Sequence, residues 1–188
     1  MKNFELFLKK PLVIRSVLNK TCLNVVTFNL SSPNRPYNNL LKINEPIISA
    51  LLNSKITQAE LKGVKVDIQI DANLTKLSTR AFDVTRILGN IIDNALEAVS
   101  NNQEGNRWLK LKIKEKGPLL VFSVTNPGAL PEEVVKKVFE PGFTTKNGSN
   151  SGLGLYICQQ LANKLHGKID FTSQEEASTT FSLVFPKP

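Results

Sequence analysis

The chain has 188 residues and a hydrophobic content of 41%, which suits one sizeable soluble domain with an appendage. No apolar run reaches the roughly 18–20 residues of a membrane span, and the N-terminus has no signal-peptide plan, so a cytoplasmic location is expected. The net charge of +8 comes from scattered lysines without an arginine-rich stripe, so we expect an acidic partner or ATP rather than nucleic acid. Cys22 and Cys158 lack a metal-ligand spacing and are expected to be buried thiols.

Apolar periodicity and turn residues predict helices and strands in a mixed order. The predicted elements are a helix over 39–61 interrupted near Pro46, a strand over 64–70, a helix that begins near Ser78 or Thr79, strands over 108–114 and 119–125, a short helix from 130, a helix over 153–165, and strands over 168–173 and 179–185. Because the two types mix without strict alternation, they predict an α/β (α+β) two-layer sandwich with a mixed β-sheet and helices on one face.

The predicted helix around 87–99 has an apolar face and an unusual polar face. At about 100° per residue, one arc of the helix collects Arg86, Asn90, Asp93, Asn94 and Glu97. Asn and Asp each cost a helix about half a kcal/mol relative to Ala, so a face that needed only solvent would use other residues. A neutral amide oxygen can complete the shell of a Mg²⁺ ion bound to nucleotide phosphates. The alternative is an ordinary amphipathic surface helix.

A glycine pair opens the predicted helix at 153–165. Gly152 and Gly154 follow the polar segment 147–151, at a helix N-terminus whose free N–H groups can hold phosphate oxygens. The alternative is a loop that needs a positive φ angle. With the phosphate interpretation, residues 147–151 form a short lid over a triphosphate.

Four motifs in order resemble the GHKL ATP-binding domain of sensor histidine kinases, closest to the quorum-sensing and citrate- or dicarboxylate-sensing subgroup. They are NIIDN at 90–94 (the N-box), NPG at 126–128 (a reduced first glycine box), FEPGFTTK at 139–146 (the F-box) and GLGL at 152–155 (the second glycine box). The resemblance implies the Bergerat fold, with ATP and Mg²⁺ as cofactors, over a domain at 39–188. Residues 1–38 are unassigned; one interpretation is that they are a remnant of a dimerisation or linker region.

The resemblance also implies roles for individual residues. Asn94 would bind Mg²⁺, Asn90 and Asp93 would orient phosphates or waters, and Lys146 would contact phosphate unless it is a solvated loop lysine. Asn126 stands where the family has an Asp that accepts a hydrogen bond from adenine, and its neutral oxygen should accept a weaker one. The remaining nucleotide-binding residues implied are Gly128, Phe139, Thr145, Gly152, Leu153, Gly154, Leu155 and Thr179.

Asn90 also indicates which branch of the family this is. ATPases and serine kinases of the superfamily carry a Glu there as general base, and a neutral amide cannot take a proton. Phosphorylation of histidine needs no such base, because a neutral imidazole is already nucleophilic. The sequence therefore predicts a histidine kinase catalytic domain; the alternatives are a non-enzymatic signalling module of the same fold and a GHKL ATPase or serine kinase.

The single histidine, His166, is expected to cap a helix before Gly167 rather than accept a phosphoryl group. The phosphoacceptor would then belong to a histidine-bearing dimerisation domain, and a response-regulator receiver domain would take the phosphoryl group onward. A homodimer is expected of the full-length protein, and if that protein is a membrane sensor its anchor lies outside this chain.

Overall fold

A five-stranded sheet with helices organises the computed structural model, which describes residues 40, 43–77, 79–145, 152–174 and 178–188. In the described residues the elements are α1 (Pro46–Leu61), β1 (Lys65–Asp71), a 3₁₀ turn (Thr75–Leu77), α2 (Ala81–Ser100), β2 (Trp108–Lys116), β3 (Leu119–Pro127), α3 (Glu132–Lys137), α4 (Gly154–Lys164), β4 (Lys168–Gln174) and β5 (Ser178–Pro186). The helices and strands predicted over these residues are all present.

The sheet is mixed, with strand order β1-β2-β3-β5-β4. β1 and β2 run parallel because α2 connects them as a crossover, whereas the other neighbouring strands pair antiparallel. The register places Asn126 of β3 opposite Thr179 of β5, and Thr179 opposite Ser173 of β4. The end of β3, the start of β5 and the end of β4 therefore meet in one row.

Helices cover one face of this sheet. Along β2, Leu109, Leu111 and Ile113 are buried, while the lysines between them are partly exposed. α2 packs against β2, β3 and β5, with α1 beside it over β1 and α4 beside it over β4 and β5. The other face carries hydroxyl pairs such as Ser123–Ser182, whose oxygens are 2.8 Å apart. This arrangement confirms the two-layer α/β sandwich predicted from the sequence.

α2 is the central helix of the core. Its buried residues are Ala81, Val84, Ile87, Leu88, Ile91, Ile92, Ala95, Leu96 and Val99. Fully burying each large aliphatic side chain contributes about 1.5–3 kcal/mol, so this helix is fixed against the sheet by its apolar face alone. The polar face of α2 is thereby presented on the side away from the strands.

The helix starts differ in detail from the sequence prediction. Pro46 does not interrupt a helix but begins α1, where its missing N–H costs nothing. Glu45 caps that end, since its Oε2 accepts hydrogen bonds from the backbone N–H groups of Ile47 and Ile48 at 2.9 and 3.0 Å. α2 begins at Ala81, slightly later than predicted, because the 3₁₀ turn precedes it.

α4 ends in a Schellman motif with His166 in the left-handed position. The φ angle of His166 is +55°, its N–H donates to the Asn163 carbonyl, and the Gly167 N–H donates to the Ala162 carbonyl, both at 2.9 Å. A Cβ on Gly167 would collide with the backbone of β5 at Val184. The capping role predicted for His166 is therefore confirmed. None of the helices in the described residues has the length and apolar character that crossing a membrane requires.

Candidate functional site

The polar face of α2 lies beside the first turn of α4. Asn90 Oδ1 is 3.6 Å from the position that a Cβ on Gly154 would take, and Gly154 is the first residue of α4. Leu153, the residue before α4, makes no side-chain hydrogen bond to this helix end. The structure therefore brings the predicted N-box and second glycine box together, with an amide side chain facing a helix N-terminus.

Cys158 links α4 to α2 next to the contact between Asn90 and Gly154. Its buried thiol lies one turn after Gly154 and donates to the Ile87 carbonyl of α2 at 3.7 Å. Burial raises the pKa of Cys158 to about 11, and a hydrogen bond with Asn90 and the charge of Arg86 only partly offset that rise. The thiol is therefore protonated at neutral pH and packs as a small apolar group, as predicted; Cys22 lies outside the described residues.

Asp93, which the sequence analysis expects to orient phosphates or waters, is engaged by α1. Lys55 Nζ lies 2.5 and 2.7 Å from its two carboxylate oxygens. Asn94 is partly exposed on the same face of α2, one residue further along. Sequence reasoning missed Lys55, because its partner is 38 positions away and a lysine on a helix surface gives no local signal.

The F-box and the second glycine box pack against one another through backbone. The Gly142 N–H donates to the Gly152 carbonyl at 3.2 Å, and Gly152 has a φ angle of +64°. A Cβ on Gly152 would lie 2.5 Å from the Gly142 oxygen and 2.7 Å from the Phe143 oxygen. Only glycine fits this position, which gives Gly152 a structural role that Gly154 does not share.

The other nucleotide-binding residues predicted in the F-box and the second glycine box differ in how far they are buried. Phe139 and Leu155 pack against the core, whereas Leu153 and Thr145 are exposed. Lys146 and the predicted lid at 147–151 lie outside the described residues. The structure therefore describes the residues on either side of the predicted phosphate-binding segment, Thr145 and Gly152.

A second polar group lies at the strand ends. Asn126 and Thr179 are among the buried polar side chains of the described residues, and they face each other across β3 and β5. Asn126 Nδ2 donates to the Pro127 carbonyl at 2.9 Å, and Thr179 Oγ1 donates to the Gly128 carbonyl at 2.7 Å. Gly128 has a φ angle of +94°, which turns the chain sharply after β3. Ser173, a residue that the sequence analysis missed, lies beside Thr179.

Comparison with known proteins gives one family. Residues 79–188, more than half of the chain, match the family described as histidine kinase-, DNA gyrase B-, and HSP90-like ATPase. A probable C4-dicarboxylate sensor kinase of Halalkalibacterium halodurans is 34% identical over 149 residues, covering 78% of this chain and 28% of that protein. The sensor histidine kinase DpiB of Escherichia coli is 30% identical over 145 residues, covering 74% of this chain and 26% of that protein.

A solved structure agrees with these relatives. The nucleotide-free catalytic domain of histidine kinase ThkA superposes with a TM-score of 0.62 at 25% identity, covering 76% of this chain and 91% of that one. The chain spans only about a quarter of the length of the sensor kinases above. The resemblance found in the sequence is confirmed: the chain belongs to the histidine kinase-, DNA gyrase B-, and HSP90-like ATPases, as an ATP-binding catalytic domain of the sensor histidine kinase type.

Proposed function

We propose that the polar face of α2 and the first turn of α4 together form a groove that binds Mg-ATP and presents its γ-phosphoryl group to a histidine outside this chain. The observation that carries the proposal is the approach of Asn90 to Gly154 at the start of α4, where Leu153 provides no side-chain cap. A helix N-terminus carries about half a positive charge and free N–H donors, so it attracts phosphate oxygens. The absence of a Cβ at Gly154 leaves room for them.

The amides of α2 would hold a Mg²⁺ ion. In nucleotide sites this ion keeps several waters and phosphate oxygens, so one or two protein oxygens suffice. Asn94, with Asn90 beside it, fits that need on the partly exposed face of α2. In the part of the chain that the structure describes, no three acidic, histidine or cysteine side chains cluster as an alternative metal site. Bound Mg²⁺ would neutralise charge on the phosphates.

The strand ends would hold the adenine. Asn126 and Thr179 are buried next to the Gly128 turn, on the face of the sheet that the helices cover. The Asn126 amide oxygen is an acceptor, and the adenine 6-amino group is a donor. The base would therefore lie between the sheet and the helices, with Phe139 and Leu155 of the neighbouring segments at the core margin.

The phosphoacceptor must come from elsewhere. Asn90 cannot act as a base, so water and serine are poor nucleophiles here, whereas an imidazole needs no base. His166 follows the C-terminal end of α4, whose axis covers about 15 Å between Gly154 and Lys164 at 1.5 Å per residue. We propose as partners a histidine-bearing dimerisation domain, dimeric in the full-length protein, and a response-regulator receiver domain. We also propose that the chain is the cytoplasmic portion of a sensor; that its relatives are named sensor kinases supports the sensor part of this proposal.

Calorimetric titration of the chain with ATP, with and without Mg²⁺, tests the proposal. We expect micromolar to millimolar affinity, and we expect Asn94→Ala to weaken binding mainly when Mg²⁺ is present. Asn163→Ala, which removes an exposed amide from the far end of α4, is the control and should change nothing. If no nucleotide binds in this range, the chain is a non-enzymatic module of the same fold.

A further inference from the structure

A chain of hydrogen bonds ties the turn after β3 to β4 and β5. The Leu130 N–H donates to Ser173 Oγ at 2.8 Å, Ser173 Oγ and Thr179 Oγ1 are 3.3 Å apart, and Thr179 Oγ1 donates to the Gly128 carbonyl at 2.7 Å. This series of hydrogen bonds therefore begins at residue 128 and ends at residue 130. Ser173, in the edge strand β4, connects them.

The direction of these bonds is fixed by proton count. A hydroxyl has one proton, and Thr179 uses its proton on the Gly128 carbonyl, which can only accept. The proton between the two hydroxyls must therefore come from Ser173, whose oxygen accepts from Leu130. Toward any further ligand, the Thr179 oxygen can only accept.

The side-chain amide of Asn126 is also held in one orientation. Its Nδ2 donates to the Pro127 carbonyl at 2.9 Å, and a reversed amide would bring two acceptor oxygens together there. The Oδ1 atom is thereby fixed on the side away from the Pro127 carbonyl. A 6-amino purine can donate to such acceptors, whereas a 6-oxo purine would set oxygen against oxygen in a buried place.

We propose that Ser173 is a positioning residue that fixes the Thr179 hydroxyl and the turn at 128–130, so that this end of the site selects a 6-amino purine over a 6-oxo purine. The inference rests on the proposed ATP site and adds Ser173 as the residue that fixes the Thr179 acceptor there. Removing Ser173 Oγ would leave the Leu130 N–H without its acceptor and would free the turn. The phosphate end, built from α2 and α4, contains none of these groups.

Competition calorimetry with ATP and with inosine triphosphate, which carries an oxo group in place of the 6-amino group, tests the inference on the full chain. We expect ATP to bind at least about tenfold tighter than inosine triphosphate. Ser173→Ala should reduce that ratio at least threefold, mainly by weakening ATP, while the dependence of affinity on Mg²⁺ stays unchanged. Ser173→Thr should restore the ratio because it restores the hydroxyl.

Ser123→Ala is the matched control, since it breaks a similar hydroxyl pair with Ser182 on the opposite face of the sheet. If Ser173→Ala unfolds the chain, Ser173→Cys keeps the volume with a weaker hydrogen-bonding group and should lower the ratio in the same direction. Equal affinities for the two nucleotides, an unchanged ratio in the folded Ser173 variants, or an equal drop in Ser123→Ala overturns the inference and leaves the ATP site standing. If the wild type binds neither nucleotide, the proposed function fails as well.

Discussion

Lys55 and Asp93 form an ion pair that joins α1 to the polar face of α2, with both carboxylate oxygens within 2.7 Å of the ammonium nitrogen. The lysine side chain is 19% exposed and the aspartate side chain 44% exposed. Lys55 lies before residues 79–188, the part of the chain that matches the family, so the family motifs gave no indication of this pair. The pair neutralises an acidic charge beside the groove that we propose for a triphosphate.

Replacing Lys55 should therefore affect nucleotide binding more than folding. Lys55→Met keeps the apolar stem and removes a partly exposed pair, so we expect urea unfolding to show a loss of about 1 kcal/mol or less. ATP affinity should fall several-fold, because Asp93 would then face the phosphates uncompensated. Adding Asp93→Asn should restore the affinity, and Lys136→Met, which breaks the exposed Lys136–Glu132 pair of α3, should leave it unchanged. A double variant that binds as weakly as Lys55→Met would show that charge is not the cause.

The two glycines of the second glycine box should separate into a structural and a ligand-facing role. Gly152→Ala adds a Cβ against the Gly142 and Phe143 oxygens at positive φ, so it should destabilise the fold by about 2 kcal/mol or more. Gly117→Ala is the matched control: its φ is +58° with open space around it, which costs only about 1 kcal/mol.

Gly154→Ala should leave thermal stability unchanged or slightly raised, because Gly154 is helical and a Cβ there makes an ordinary contact with Asn90. Its ATP affinity should nevertheless fall, since the Cβ enters the path of the phosphates. Wild-type affinity in a folded Gly154→Ala protein would remove the helix N-terminus from the site.

The chain alone should not become stably labelled by radioactive Mg-ATP. His166 ends α4 in a left-handed conformation, far along the helix from the groove. His166→Gly should bind ATP as the wild type does and should be more stable by about 0.5–1 kcal/mol, since glycine adopts positive φ freely. Adding a histidine-bearing dimerisation helix in trans should yield acid-labile label on that helix. Acid-labile label on the isolated chain that is lost in His166→Gly would contradict this.

Cys158 should react slowly with iodoacetamide below about pH 10. The reactive species is the thiolate, and burial raises the pKa of this thiol from 9.0 to about 11. Mass spectrometry of a Cys22→Ser variant, compared with the same variant in denaturant, measures the rate. Because the folded state holds the proton more tightly than the unfolded chain, the thiol's contribution to stability is full below pH 9 and is lost as pH rises toward 11. Rapid alkylation of the folded variant at pH 8 would show that the thiol is accessible.

Local sequence patterns were sufficient to predict the helices and strands and the fold class. The helical spacing of apolar residues in α2 and their alternation in β2 reflect which side of each element is buried. The sequence alone therefore predicted these two elements. The family motifs predicted that Asn90 and Gly154 would serve the same nucleotide, and the structure brings them together. The partners of Asp93 and Thr179 could not be predicted, because Lys55 and the Gly128 carbonyl reach them only through tertiary packing. The roles assigned to Asn94, Asn126 and Lys146 stay predictions.

α2 carries the proposed ligands for metal and phosphate on one side and the middle of the hydrophobic core on the other. These amides cannot leave their positions unless the core opens, so occupancy of the groove and unfolding of the sandwich are linked equilibria. At a nucleotide concentration a hundred times the dissociation constant, this linkage adds about 2.7 kcal/mol to the free energy of unfolding. The melting temperature of the whole domain should therefore rise as nucleotide occupies the groove.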